Sequence, residues 1–338
     1  MWWRRVTHSA VFLRTFLFLV VFSIFVCAIT GCRPLSPENG CPPVCPGVNL
    51  SDRDLSGRDL SGMDFVGADL FRARLLHTDL TDADLSGANL EQSDLRGAKL
   101  GSVSLAGANL RQADLSSAEL DGADLGGADL TGAVLTRVNL TQVDLTAAVF
   151  TEARMIGVGL VDGTLPGANL RNADLRGGAL AMADLAGADL RAADLTGANL
   201  EGARLDGAWL DDAILNGCNL TRASLDGARM VAVGMSGALL TEASLRDVDL
   251  SEADVTGSKF LEADMTGVNL TDTVMNGVYL NGADLTGATA LVLSVERGAD
   301  GGPTVGDAFR GGITFSESTI WPDGFTVPSS ARVEAPSQ

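Results

Sequence analysis

Carboxylates, cysteines and histidines are the side chains of this chain best suited to chemistry, and they occur in very unequal numbers. The 338 residues include 43 Asp and Glu, five Cys and two His. Paired carboxylates can act as acid and base when an apolar cleft raises the pKa of one of them. A catalytic triad or a His-rich metal site could form only around His77, the one histidine beyond residue 8. His77 follows Leu75 by two residues, and we expect it to be solvated.

Four of the five cysteines precede residue 46, and the fifth, Cys218, stands alone in the chain. Cys218 occupies a position that is usually Ala, so we predict a buried thiol that fills the space of a small side chain. Cys41 and Cys45 flank the segment Pro-Pro-Val. They could pair as a disulfide in an oxidising compartment or remain two free thiols. A zinc site would need two more ligands, and the sequence offers none nearby.

The carboxylates belong to a five-residue repeat, of which residues 83–87, Ala-Asp-Leu-Ser-Gly, are a typical unit. From residue 50 to residue 285 every fifth position is large and apolar, and 39 of these 48 positions are Leu. Ala stands two positions earlier in 29 of the 48 units, and Asp or Asn stands one position earlier in 27. The acidic residues therefore recur with the apolar ones.

A period of five fits neither an α-helix nor a strand, since apolar residues spaced in this way would scatter around either element. The chain must instead turn a corner every five residues. Four units then form one square coil of about 20 residues, with the Leu and the small residue pointing inward. The Asp or Asn before Leu and the Ser, Thr or Gly after it are turn residues. Coils about 4.8 Å apart would give a rod roughly 58 Å long without inserted loops.

The run Ala-(Asp/Asn)-Leu-x-x resembles the pentapeptide-repeat family. That resemblance implies an all-β fold, a right-handed quadrilateral parallel β-helix of about twelve coils. The resemblance covers about 240 residues, and we place the β-helix at 48–290. Four residues, Val48, Arg53, Arg58 and Met63, replace the small inward residue at the start, so we expect a frayed or capped first coil.

The amino terminus has the features of an export signal. Residues 1–15 hold three Arg and no acid, residues 16–29 are apolar, and Ile-Thr-Gly-Cys follows at 29–32. Fourteen apolar residues are too few to span a bilayer comfortably. Residues 29–32 resemble the lipobox of bacterial lipoproteins, which implies that 1–31 is a cleaved signal peptide and that Cys32 is lipidated. An uncleaved anchor and an ordinary signal peptide are the alternatives.

The lipobox resemblance predicts an exported protein that is held on a bacterial membrane by lipid on Cys32, at the periplasmic or extracellular face. Arg33 stands where an Asp would favour retention at the inner membrane, which favours the outer membrane in a Gram-negative cell. Residues 32–47 form a Cys- and Pro-rich linker, which should be extended and semi-rigid.

Residues 291–338 follow the last repeat. Residues 321–325, Trp-Pro-Asp-Gly-Phe, resemble a tail found after the final repeat of some pentapeptide-repeat proteins. The resemblance implies that Ile313, Phe315, Trp321 and Phe325 fold back as a cap over the last coil. We expect residues 327–338 to be disordered.

Departures from the repeat indicate a possible interaction patch. Among the residues that replace the outward Asp or Asn are Trp209, Ile214, Arg229, Leu239 and Tyr279. Since 20 residues make a coil, Trp209 and Arg229 should be neighbours in cation–π contact, and Leu239, Lys259 and Tyr279 should form a column on another face. Drift at tolerant surface positions is the alternative. Residues 134–166 also lose most of their outward Asp and Asn, so they form a less regular region or a contact surface.

The predicted function is that of a non-catalytic, membrane-tethered rod outside the cytoplasm, which acts as a structural spacer or as a binding surface for an unidentified protein and needs no cofactor. The net charge of −19 argues against direct binding to nucleic acid. The alternative, implied by the family resemblance, is a DNA-mimicking inhibitor or protector of a type II topoisomerase, DNA gyrase. The export signal, and a Gly- and Pro-rich tail without helical periodicity, argue against this alternative.

Overall fold

The computed structural model describes residues 46–289, 296–297, 303–304, 314–315, 318–322 and 332–333. Within 46–289 the chain winds as a four-sided parallel β-helix, because the residue before each apolar position bridges the residue twenty positions later. We number the four faces by the residue that starts each ladder: Asn49 for face 1, Asp54 for face 2, Asp59 for face 3 and Asp64 for face 4. The predicted quadrilateral parallel β-helix is confirmed.

A tight turn forms each corner between two faces. At residues 85–88 the N–H of Ala88 donates to the carbonyl of Leu85 at 2.9 Å, and Gly87 has a φ of 63°. A positive φ at the third residue is typical of a type II turn and favours Gly. Asp52, His77 and other non-Gly residues adopt the same conformation at equivalent corners.

The core is a stack of inward Leu and small side chains, as the repeat predicts. Leu190 and Ala188 are fully buried, and their equivalents are buried along most of the rod. Burial of one Leu side chain stabilises the fold by roughly 1.5 to 3 kcal/mol. The first coil is open: Leu50 is only half-buried, and Arg53 and Arg58 are exposed. The first coil therefore does not close the core.

Most hydroxyl and thiol groups in the small inward position donate to a carbonyl of the preceding coil, whereas the buried Ser93 hydroxyl has no hydrogen-bond partner among the described residues. Thr78 Oγ1 donates to the Leu55 carbonyl at 3.0 Å, and Thr273 Oγ1 donates to the Leu250 carbonyl at 2.8 Å. Cys218 Sγ makes the equivalent contact 23 residues back. A buried polar group without a partner is costly, so this shared geometry explains how the core accepts hydroxyls.

Within residues 46–289 the four ladders have one gap, between Asp144 and Thr164 on face 4. The gap lies in the stretch 134–166 that the sequence marks as irregular. The repeat continues through it, and Leu145 and Leu165 remain buried.

The chain beyond the repeat contains four two-residue strands: β1 Glu296–Arg297, β2 Pro303–Thr304, β3 Thr314–Phe315 and β4 Arg332–Val333. β1 pairs with β2 antiparallel, and β3 pairs with β4 in parallel. The prediction of disorder over 327–338 is therefore wrong at β4. The reason is that the edge of β3 remains available for pairing after β3 has joined the rod.

Residues 314–322 extend the rod as a partial coil. Thr314 bridges Tyr279, and Ile320 bridges Asp284, which continues the ladders of faces 3 and 4. Phe315 and Trp321 pack on the core and meet edge to face at 5.5 Å between ring centroids. Phe315 and Trp321 thus act as the predicted cap, whereas Ile313 and Phe325 lie outside the described residues.

Candidate interaction surface

Most outward Asp and Asn side chains are used in the turns. Asp84 Oδ1 accepts the N–H of Ser86 at 2.9 Å, and Asn139 Oδ1 accepts the N–H of Thr141 at 3.1 Å. Such an Asx turn needs a short side chain with an oxygen acceptor, which explains the preference for Asp and Asn. The first role of the repeated carboxylates is therefore to stabilise the turns, and contact with a partner would come second.

These hydrogen bonds favour the ionised carboxyl groups. The hydroxyl and then the N–H of Thr81 hold the pKa of Asp79 below its ordinary value. At Asp94 the largest cause of the lowered pKa is Arg96, whose Nε and Nη2 donate at 2.8 and 2.7 Å. Paired Arg forks of this kind neutralise part of the acidic surface. Equivalent forks join Arg176 to Asp174 and Arg191 to Asp189.

Where the outward residue is neither Asp nor Asn, several turns take an acceptor from the preceding coil. Arg229 cannot accept the N–H of Val231, and Asp211 Oδ1 accepts it at 3.1 Å instead. Asp206, Asn216 and Asp226 do the same for the N–H groups of residues 226, 236 and 246. The sequence analysis missed these residues. In the sequence, each of these acceptors is an Asp or Asn that directly follows an inward Leu. It lies twenty residues before the residue whose N–H it accepts.

The five residues of the predicted patch lie on three faces, so they do not form one patch. Trp209 and Arg229 are on face 1, Ile214 is on face 2, and Leu239 and Tyr279 are on face 3. The 20-residue period explains this separation, because residues share a face only when their numbers differ by a multiple of twenty.

The predicted cation–π contact between Trp209 and Arg229 is also wrong, because a different Arg supplies the cation. The two residues are bridge partners, but the guanidinium over the indole ring is that of Arg191, at 4.6 Å from the centroid. Arg229 Nε instead donates to Asp211 Oδ2 at 2.8 Å, since a carboxylate is within reach. Trp209 is 49% exposed.

The second predicted column does form. Leu239, Lys259 and Tyr279 are successive bridge partners on face 3. Lys259 Nζ lies 5.8 Å from the centroid of the Tyr279 ring, within the range of a cation–π contact.

His77 and Cys218, which lie in the described part of the chain, do not come together in a reactive site. His77 is exposed, and its ring lies so close to Gly97 that a Cβ there would be 2.4 Å from Nδ1. Cys218 is buried, and that burial raises the pKa of its thiol to about 12. No group of three or more potential metal ligands occurs within the described ranges. Cys32, Cys41 and Cys45 lie outside them, and no helix in the described part of the chain could cross a membrane.

A protein-family model described as pentapeptide repeats matches eight segments of this chain. These segments are 49–87, 93–132, 128–165, 160–191, 168–207, 198–233, 235–260 and 263–289. The chain belongs to the pentapeptide-repeat family. The expected right-handed quadrilateral β-helix is the fold of that family. No curated protein sequence matches this pentapeptide-repeat chain.

Solved structures of other pentapeptide-repeat proteins are similar to it. HetL, involved in heterocyst differentiation regulation in the cyanobacterium Nostoc, is 28% identical over 77% of this chain and 92% of its own, with a TM-score of 0.30. A thylakoid lumen protein of Arabidopsis thaliana is 28% identical over 34% of this chain and 69% of its own, with a TM-score of 0.22. QnrB1, a plasmid-mediated fluoroquinolone resistance protein, is 17% identical over 69% of this chain and 92% of its own, with a TM-score of 0.24.

Proposed function

We propose that this pentapeptide-repeat chain is a non-catalytic rod, tethered to a bacterial membrane by lipid on Cys32, which binds a protein outside the cytoplasm. The observation that carries the tether is the sequence Ile-Thr-Gly-Cys at 29–32 after a positive start and an apolar stretch. Two or three acyl chains would hold such a protein stably, whereas one chain binds only marginally.

The binding role rests on how the described residues are used. The outward Asp side chains of the ladders accept hydrogen bonds in the turns, and some also pair with Arg. No loop interrupts the rod between residues 46 and 289 to build a cleft. Proteins of this family are in general structural or interaction proteins. A surface formed by four flat ladders is suited to contact with another macromolecule over a long distance.

The linker sets the distance of the rod from the membrane. Residues 33–47 include five Pro, and a Pro-rich linker extends by about 3.1 Å per residue. The first coil would then lie some 45 Å or less from the bilayer. A disulfide between Cys41 and Cys45 would shorten that distance slightly.

Metabolic labelling with a clickable palmitate tests the tether. The full chain should incorporate label and fractionate with membranes, and Cys32→Ala should lose both properties. Cys27→Ala, five residues earlier in the same signal, is the matched control and should keep them. Absence of label from the unaltered chain, or label that persists in Cys32→Ala, would remove the proposed anchor.

A DNA-mimicking regulator of DNA gyrase is the second candidate because the rod is acidic. Face 4 carries seven Asp and one Arg in its ladder between residues 64 and 284. The involvement of many carboxylates in turns weakens this candidate, since turn chemistry already accounts for them. Supercoiling assays with purified gyrase and the full chain test it. Inhibition or protection at stoichiometric concentration would favour it over the tethered rod.

A further inference from the structure

The charges on the rod are distributed unevenly around face 3. The corner between faces 2 and 3 consists of residues such as 96–97 and 136–137 in successive coils. Between residues 56 and 277 it contains three Arg and no acid. The corner between faces 3 and 4 contains one Arg and six acids over the same coils, namely Asp82, Asp121, Asp162, Glu201, Glu242 and Glu262. Two of the three Arg, Arg96 and Arg176, are already paired with Asp94 and Asp174 of face 2, so Arg137 carries most of the positive charge that the first corner can offer. Face 3 therefore has one weakly basic edge and one acidic edge.

The centre of face 3 is uncharged over six successive coils. Its ladder residues there are Asn139, Gly159, Ala179, Asn199, Asn219 and Leu239. Apolar side chains border this strip: Ile156 on the basic edge, and Val161 and Met182 on the acidic edge. Met182 is 61% exposed, the highest value among the large apolar residues described as exposed. Gly159 and Ala179 offer little obstruction to the close approach of another surface.

We propose that face 3 is the contact surface for a second copy of this chain, in a dimer of parallel rods with two-fold symmetry about an axis along the rods. Such an axis places the basic edge of one copy against the acidic edge of the other, on both sides of the interface. Antiparallel rods would instead place like edges together, which costs energy through repulsion. Within the six uncharged coils, from Asn139 to Leu239, the charges of the two edges therefore select the parallel arrangement.

Individual residues fit this arrangement. In a parallel dimer Ile156 faces Val161 of the second copy at the same height, since both belong to one coil. Arg137 lies between the levels of Asp121 and Asp162 on the second copy. Its side chain extends along the corner over Gly157, and the face 2 residue of its own coil, Val134, offers no carboxylate. Arg137 is exposed and is thus available for a contact between copies.

The dimensions of face 3 also favour a second rod over a small partner. From Asn139 to Leu239 the uncharged part of the ladder has five steps of about 4.8 Å, and a side of five residues is roughly 15 Å wide. The product is about 360 Å² per partner, less than half of the roughly 800 Å² of a standard interface, and the two flanking edges add to it. Only an occupant that runs along the rod covers this area. Face 3 also avoids the seven Asp of face 4, which would repel an equally acidic copy.

Cysteine cross-linking in intact cells tests the dimer on the full chain. In a chain with Cys41→Ser and Cys45→Ser, single variants Asn139→Cys, Ala179→Cys and Asn219→Cys should each give a covalent homodimer with a short bis-maleimide. Each position faces its own copy near the axis. Asn169→Cys, on the opposite face 1, is the control. The face 3 yields should exceed the control by about fivefold or more.

The outcomes separate the arrangements. Yields at all three positions equal to that of Asn169→Cys would refute contact through face 3. Linkage at one position alone would show crossing or antiparallel rods and would refute the parallel axis. Arg137→Glu should lower the Ala179→Cys yield severalfold, and adding Asp162→Arg should restore much of it. Cross-linking does not require lipid on Cys32, so this proposal and the tether can fail separately.

Discussion

The cap that Asp211 provides from the preceding coil gives a prediction in which damage and repair can both be measured. Asp211→Ala removes the acceptor of the Val231 N–H and the carboxylate that pairs with Arg229. A hydrogen bond of this type contributes about 1 kcal/mol. The exposed ion pair adds at most about 0.5 kcal/mol, because Arg229 is 62% exposed and solvent screens it. We expect the free energy of unfolding to fall by about 1 to 2 kcal/mol.

The repair uses the ordinary position of the repeat. Arg229→Asp in the Asp211→Ala background places an acceptor two residues before Val231, as Asp84 does for Ser86. Stability should return to within about 0.5 kcal/mol of the unaltered protein, about half the expected contribution of the hydrogen bond. Asp212→Asn, which removes a neighbouring exposed charge and keeps a residue that tolerates positive φ, should change little.

Thermal unfolding followed by circular dichroism measures these effects. A loss of 1 to 2 kcal/mol corresponds to roughly 3 to 6 °C in Tm for a domain of this size. Two results would refute the reasoning. One is an unchanged Tm for Asp211→Ala, and the other is a double variant that melts no higher than Asp211→Ala alone.

Four further predictions concern the core, the carboxylates, the thiol and the cap. Leu190→Ala should destabilise the protein by about 2 to 5 kcal/mol in urea titration, since the side chain is fully buried; a smaller loss would contradict close packing. The lowered pKa of Asp79 and similar carboxyls stabilises the fold above their ordinary pKa. The urea midpoint should therefore stay constant from pH 7 to near pH 5 and decrease below about pH 4. An increase of the midpoint below about pH 4 would contradict the predicted direction of the pH dependence. Cys218 should resist thiol reagents at pH 8 until the protein unfolds, and rapid labelling of the folded protein would oppose its burial. Trp321→Ala should lower Tm or solubility by uncovering the last coil, and an unchanged protein would exclude a capping role.

The repeat could be predicted from the sequence because one spacing determines the direction of every inward side chain. Leu190 and Ala188 are buried for the same reason as their equivalents in the other coils, so a single geometric argument covers more than 200 residues. The spacing also identified bridge partners such as Trp209 and Arg229 correctly. Backbone periodicity depends on residues that are close together in the chain, so it can be predicted from the sequence.

Side-chain contacts between coils were harder to predict. The period shows that Arg191 and Arg229 both lie near Trp209, but it does not show which guanidinium reaches the ring. Each guanidinium pairs with a carboxylate, Arg229 with Asp211 and Arg191 with Asp189, and it is the Arg191 pair that leaves its guanidinium over the ring. The caps from Asp206 and Asp226 were missed for a related reason. Each replaces a contact within one unit by a contact between coils, which the pattern of a single unit does not contain.

Because bridge partners are twenty residues apart, each face is formed by every fourth five-residue unit of the sequence. Deletion of five residues inside the repeat would keep every Leu inward, yet it would turn all later coils by a quarter relative to the earlier ones. Each column of charges would then continue on the wrong side. Gain or loss of a whole coil preserves all four sides and changes the length by about 4.8 Å. The outer columns, more than the core, therefore restrict which changes in repeat number this chain can tolerate.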